Sequence, residues 1–233
     1  MREIDSEHGP GVVAVVTATV ARFHEFTDSI ASLQVPYGTR WSRVSSCNIV
    51  ANRNRVMDTL PIGTQWVWWL DDDNAFGPET LVQLLDRRVD LIAPLVAART
   101  RGFVPMVHHP VVAHRPYTWQ ELQDADAANA GLVPVSGAST SGTLVKKAVW
   151  EKVLRTDGPP LYRVDSCPDK ESFAEDIWFS HRATQLGFKC YVDTRVYMDH
   201  LNTITLRPGR TPDGKLAVYG VIDNAQIGLI RTV

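Results

Sequence analysis

Three consecutive carboxylates, Asp71-Asp72-Asp73, follow directly on the apolar run Val67-Trp68-Trp69-Leu70. An unbroken apolar run is the pattern of a strand covered on both faces, and in α/β sheets ligands gather at the carboxyl ends of such strands. Two or three carboxylates at that point need a cation to be tolerable. The usual one is a hard divalent metal that also grips a phosphate. The layout is that of an Asp-x-Asp site and points to chemistry on a nucleoside diphosphate. The competing reading is a polar turn between strand and helix, with Pro78 as the first helical residue.

Four other groupings bear on that choice. Glu175-Asp176 precedes Ile177-Trp178-Phe179. Acids there complement a helix dipole, and they also suit a general base at a pocket rim. His200 ends the segment Val196-Tyr197-Met198-Asp199. Alone it reads as a loop histidine; beside an Asp-x-Asp site it supplies an imidazole ligand that suits manganese better than calcium. Asn52-Arg53-Asn54-Arg55 reads either as a solvated helix face or as a guanidinium contact to a donor phosphate. Ser136-Gly137-Ala138-Ser139-Thr140-Ser141-Gly142 permits close backbone approach to a ligand, without the spacing of a Walker A loop.

These groups need a scaffold, and 233 residues suit one α/β domain, or one with a small appendage. A chain of this length buries roughly 70% of its unfolded surface and needs no disulfide or metal to fold. The net charge of −2 argues against a generally basic nucleic-acid-binding surface. Cys47, Cys167 and Cys190 are widely spaced and read as reduced thiols. No run of about 18 apolar residues and no signal-peptide core is present, so the expectation is a cytoplasmic protein with no membrane span.

The apolar periodicity predicts strands at Val12–Ala18, Trp41–Ser45, Trp66–Leu70 and Leu91–Val96. Helices are predicted over Phe23–Leu33, Asn48–Leu60 and Pro78–Arg88. That alternation implies parallel strands with helical crossovers. After Ala98 shorter mixed strands are expected around Val104–Val107, Val111–Ala113 and Val133–Val135. Helices follow over Ala148–Arg155 and Glu175–Leu186, with Gly187 as a C-terminal cap, then a strand over Lys189–Asp193. The Arg-, Pro- and Gly-rich stretch Asn202–Lys215 reads as a mobile loop.

Taken in order, the pieces resemble the GT-A glycosyltransferases, especially the large inverting family 2. They are Thr17-Ala18-Thr19, Ala51-Asn52-Arg53-Asn54, Trp69-Leu70-Asp71-Asp72-Asp73, Pro134-Val135-Ser136-Gly137, Leu144-Val145-Lys146-Lys147, Glu175-Asp176-Ile177-Trp178-Phe179 with Arg182 and Gly187, and His200. The resemblance implies an α/β GT-A fold, Rossmann-like, with a mostly parallel sheet flanked by helices and a smaller mixed acceptor-side sheet. One domain would span 1–233, with a nucleotide-binding half near 11–98, an acceptor-side half near 99–200 and a C-terminal lid or tail at 201–233.

It also implies roles. Mn2+ or Mg2+ would be held by Asp71, Asp73 and His200. A nucleoside-diphosphate sugar, UDP-linked, would meet Thr17, Thr19, Asn48, Arg53, Asn54, Asp71 and Asp72. Asp176 would be the base, with Glu175 orienting it, and Ser136, Gly137 and Trp178 would face acceptor or sugar. The acceptor would be a protein, glycan or small molecule. A hydroxymethylated DNA base is the further option, with Arg207, Arg210 and Lys215 contacting phosphates. Related alternatives are a retaining N-acetylgalactosaminyltransferase-like enzyme, which has Asp-x-His where this chain has Asp-Asp-Asp, a nucleotidyltransferase and an inactive sugar-nucleotide-binding module. Many family members place an acid after the second strand to read the base; Val44-Ser45-Ser46-Cys47-Asn48 has none.

Overall fold

A computed structural model describes residues 1–17, 23–46, 48–98, 103–110, 115–164, 174–201, 205–222 and 225–232. In chain order the first part holds β1 (Arg2–Ile4), β2 (Gly11–Thr17), α1 (His24–Ser32), β3 (Gln34–Pro36), β4 (Arg40–Ser45), α2 (Ile49–Asp58), β5 (Trp66–Asp71), β6 (Asn74–Phe76), α3 (Thr80–Asp86) and β7 (Leu91–Leu95). The middle adds β8 (Val107–His108), α4 (Trp119–Asn129), β9 (Leu132–Val135), β10 (Gly137–Ala138), β11 (Leu144–Lys146), α5 (Lys147–Asp157) and α6 (Glu175–Gln185). The chain closes with β12 (Cys190–His200), β13 (Thr205–Arg210), β14 (Leu216–Ile222) and β15 (Ala225–Thr232).

The main sheet runs β15-β14-β13-β12-β7-β11-β5-β2-β4, with β6 and β9 pairing β12 off that path. β2 is parallel to both β4 and β5, and β12 is parallel to β7, as helical crossovers require. β11 lies antiparallel between β5 and β7. The sheet is therefore mixed, which corrects the mostly parallel sheet expected from the sequence. Leu144-Val145-Lys146 is too short to announce a strand. It is fixed there by Trp69 N–H donating to Thr143 O at 2.9 Å and Lys147 N–H to Gln65 O at 2.9 Å.

Period-two alternation divides the strands between two cores. Val12, Ala14, Val16, Val67 and Trp69 join one cluster, with Val56 of α2, Val149 and Val153 of α5 and Phe179 of α6. Val13, Val15, Trp66, Trp68 and Leu70 face the other side, against Phe26 of α1 and Leu81, Leu84 and Leu85 of α3. Burying each of the three tryptophans of β5 contributes about 4–6 kcal/mol of transfer free energy. That anchors the strand whose end carries the carboxylates.

Several expectations shift. α3 starts at Thr80 with Glu79 as N-cap, so Pro78 precedes the helix. The strand expected to end at Asp193 continues to His200, because Asp193 is buried in an ion pair with Arg87 Nε at 2.6 Å and accepts Arg195 N–H at 3.0 Å. α4, which the sequence reading omits, is closed by a capping box between Thr118 and Glu121. The mobile loop expected over 202–215 is corrected over its described part: Thr205–Lys215 is β13 and a turn into β14. Leu206, Leu216, Ala217 and Val218 are buried there. Cys190 is buried and unpaired, and burial pushes its thiol up. Cys47, Cys167 and Val111–Ala113 lie outside the described residues. No described helix is long and apolar enough to cross a membrane.

Candidate functional site

The site forms where β5, the β12 terminus, the Ser139–Gly142 loop and the start of α6 meet. Gly142 makes the meeting possible. Its φ is +76°, and a Cβ there would overlap Met198 Sδ and lie 2.5 Å from Pro94 Cγ. Gly142 N–H donates to Trp69 O at 2.9 Å, and Trp68 Nε1–H donates to Gly142 O at 2.7 Å. The loop is thereby held across the end of β5.

Asp71 ends β5. One oxygen accepts from Arg53 Nη2 at 3.2 Å and the other from Ser141 Oγ at 2.8 Å. Burial raises its carboxyl pKa above the usual range. Asp73 and Asp176 push the same way, while Arg53 and Ser141 oppose. Asp72 is buried and accepts from Thr17 Oγ1. Asp73 O accepts Leu201 N–H at 2.7 Å, which brings the turn after β5 against the end of β12.

His200 is buried there, with Nε2 3.6 Å from Asp73 Oδ2 and Nδ1 3.0 Å from Ala97 O. A carbonyl only accepts, so the Ala97 contact places a proton on Nδ1 and makes Nε2 the ring nitrogen that faces the carboxylate. A ring nitrogen tied to a backbone carbonyl is the usual support of a metal-binding imidazole. Atoms 3.6 Å apart suit adjacent ligands at about 2.1 Å from a common ion. Asp71 is turned away to Arg53 and Ser141, so the sequence-based set of Asp71, Asp73 and His200 is not gathered. Among the described residues no group of three or more His, Cys, Asp or Glu is arranged to hold a metal.

Glu175 and Asp176 open α6, whose N-cap, Ala174, offers no side-chain cap. The helix dipole favours acids at that position. Asp176 Oδ1 accepts Ile177 N–H at 2.7 Å and Oδ2 accepts Thr140 N–H at 3.3 Å. Each oxygen keeps lone-pair capacity beyond these bonds. Glu175 is buried and paired with Arg53 Nη1.

Arg53 is 2% exposed. Its guanidinium, of which a phosphate contact was expected, joins Asp71 to Glu175 through two internal ion pairs. Asn54 is likewise occupied: Nδ2 donates to Tyr162 O at 2.7 Å and Oδ1 accepts Tyr162 N–H at 2.8 Å. Asn48 caps α2, accepting Ala51 N–H at 3.0 Å. Ser136 Oγ donates to His109 O at 2.9 Å. Gly137 is closely packed, since a Cβ would lie 3.3 Å from Ile177 Cγ2 of α6. Trp178 is half-buried, and the Arg163 guanidinium sits 4.7 Å over its ring. Thr19 lies outside the described residues.

Three contributors, Ser141, Thr140 and Asn52, were named from the sequence only as members of longer stretches and given no role of their own. Ser141 and Thr140 orient the two acids, and a run of small residues gives no sign of which member does so. Asn52 ties the ends of β2 and β4 to α2, with Nδ2 donating to Thr17 O at 3.3 Å and Ser46 O at 3.2 Å. Arg207 pairs with Asp199 in a two-pronged bridge, the shortest contact being 2.9 Å, and Arg210 pairs with Asp126. Both guanidiniums are thus engaged within the protein.

No family model matches the sequence, and no curated protein matches it. Solved structures do. A197 from STIV is similar over 88% of this chain and 92% of that one, at 13% identity and a TM-score of 0.54. GalNAc-T7, solved with UDP, GalNAc and Mn2+, is similar over 84% of this chain and 45% of that one, at 10% identity and a TM-score of 0.54. S. aureus TarS 1–349 aligns over 81% of this chain and 59% of that one, at 13% identity and a TM-score of 0.47. The chain therefore spans less than half the GalNAc-T7 chain. What the first and second likenesses show is a shared fold, GT-A-like as the sequence led one to expect.

Proposed function

We propose that the protein is a metal-dependent glycosyltransferase. It moves a sugar from a nucleoside-diphosphate sugar, UDP-linked, to an acceptor hydroxyl with inversion at the anomeric carbon. The observation that carries this reading is the approach of Asp73 Oδ2 and His200 Nε2 to 3.6 Å at the strand end in a GT-A-like fold. Asp73 and His200 would hold a divalent ion there. When bound it would supply Lewis-acid neutralisation of the charge growing on the departing diphosphate.

The chain's own groups do the rest. Asp176, held by Thr140 and Ile177 N–H, takes the proton of the acceptor hydroxyl as that oxygen attacks. Such a base contributes about 10²–10⁴-fold. Asp72, which Thr17 Oγ1 holds, would lie on the donor side. Mn2+ and UDP fit the ligand chemistry, and the likeness to a fold solved with UDP, GalNAc and Mn2+ supports the donor class. A protein, glycan or small-molecule acceptor is favoured over modified DNA, because Arg207 and Arg210 are already paired.

The test is incubation with a panel of UDP-sugars and Mn2+, following UDP release and, with an acceptor found, the anomer formed. EDTA should abolish release and manganese restore it. Asp176→Asn should lower turnover by about 10²-fold. Full activity in EDTA, or a product that keeps the donor's configuration, would overturn the reading.

A further inference from the structure

We infer that Arg53 is a positioning residue, an internal strut that sets the spacing between the metal-side strand and the base-bearing helix. The inference rests on the proposed transferase reading. Arg53 lies on α2, a helix separate from the strand and the helix that its guanidinium joins. Its Nη2 reaches Asp71 at the tip of β5, and its Nη1 reaches Glu175 in the first turn of α6. β5 and α6 have no direct hydrogen bond joining them among the described residues; the guanidinium spans the gap.

Each end of the strut is two or fewer residues from a working group. Asp71 is followed at the second residue by Asp73, and Glu175 is followed at once by Asp176. The strut is braced further by Ser141 Oγ on Asp71 and by Thr140 N–H on Asp176, both from one loop. A rigid planar fork with two engaged nitrogens fixes distance and angle together, which a flexible ammonium does not. Burial matters as well. A guanidinium 2% exposed would be costly unless paired, and here it is paired at both ends. Placing the base within reach of the anomeric carbon is a matter of fractions of an ångström, since misplacement by about 1 Å can cost about 10²-fold.

A phosphate ligand and a strut make different demands. A phosphate ligand removed weakens nucleotide binding; a strut removed leaves the nucleotide bound and lowers turnover. The experiment measures Mn2+·UDP affinity by calorimetry and UDP-sugar turnover, with water as acceptor, for Arg53→Met, Arg53→Lys and Glu175→Gln. Arg53→Met and Glu175→Gln should each lower turnover at least tenfold while Mn2+·UDP affinity stays within about threefold. Arg53→Lys should recover part of the loss. The double variant should lose little more than either single one, because both break the same strut.

Loss of Mn2+·UDP affinity in step with turnover would overturn the strut in favour of a phosphate contact. Unchanged turnover in Glu175→Gln would overturn it too. If Arg53→Met does not fold, Glu175→Gln and Arg53→Lys still decide the matter. Absence of Mn2+·UDP binding in the unaltered protein would instead strike the functional reading itself.

Discussion

Replacing Gly142 by alanine should disturb the site from underneath. The added Cβ meets two obstacles. The first is conformational: φ is +76°, a left-handed backbone that costs an L-residue about 1–2 kcal/mol. The second is steric. The Cβ would overlap Met198 Sδ and stand 2.5 Å from Pro94 Cγ and 2.9 Å from Pro94 Cδ. Met198 is fully buried, and the proline ring is rigid within β7. Overpacking of this kind costs about 1–3 kcal/mol. The sum is about 3 kcal/mol, equivalent to a fall of roughly 6–12 °C in Tm for a chain of this size. Gly187→Ala supplies the comparison, because φ there is +93° but nothing stands within 4 Å; it should lose about 1–2 kcal/mol. Urea unfolding of both variants decides. Equal destabilisation would show that the close approach of the loop to β7 and β12 contributes nothing. Because Ser141 and Thr140 orient Asp71 and Asp176, Gly142→Ala should also lower UDP-sugar turnover at temperatures where it remains folded.

Three further outcomes are expected. Asp73→Ala and His200→Ala should each weaken Mn2+ binding in the presence of UDP at least tenfold by calorimetry, whereas unchanged affinity would remove the pair from the metal site. Arg210→Ala should destabilise the fold by about 1–3 kcal/mol, since Asp126 keeps only its bond from Thr194, and should leave duplex DNA binding and its salt dependence unchanged; a flattened salt slope would reopen the DNA reading. Glu121 is held at about 2 by Arg115 and the cap at Thr118. A depressed carboxylate stabilises above its unfolded value near 4.5 and ceases to do so as pH falls toward 2. The stability gap between the unaltered protein and Glu121→Gln should therefore be full at pH 6 and close below about pH 4.5, and a gap constant down to pH 2.5 would contradict the assignment.

The first part of the fold was legible because its elements are long and apolar with a clear period. The β2 and β5 strands and the α1 and α2 helices lie within a residue or two of their expected bounds. What escaped did so for physical reasons. α4 is polar over most of its length, with Trp119, Leu122 and Asp126 as its only buried residues, so its apolar stripe is thin; its Thr118–Glu121 cap was the available signal. β13 contains Pro208 and Gly209, which argue against a strand. Among the described residues β13 pairs with β12 at Leu206, and no pairing of Pro208 on that side calls for its missing N–H. In the site, residue type was readable and orientation was not. Asp73, Asp176 and His200 were named from their types and order, while Arg53 and Asn54 could not be seen as internally bonded until their burial and partners were known.

The place of β11 has a consequence for how the chain is made. β5 and β7 are not neighbours in the sheet; Leu144-Val145-Lys146 separates them and supplies hydrogen bonds to both. During vectorial synthesis the first 98 residues emerge with a gap down the middle of their sheet, and the segment that fills it arrives about fifty residues after β7. Such a long-range closure slows folding and leaves two strand edges open meanwhile. A fragment ending at residue 98 should accordingly show no cooperative unfolding, whereas one that includes β11 and α5 should begin to. The sheet begun by β2, β5 and β7 is thus completed by a strand from later in the chain.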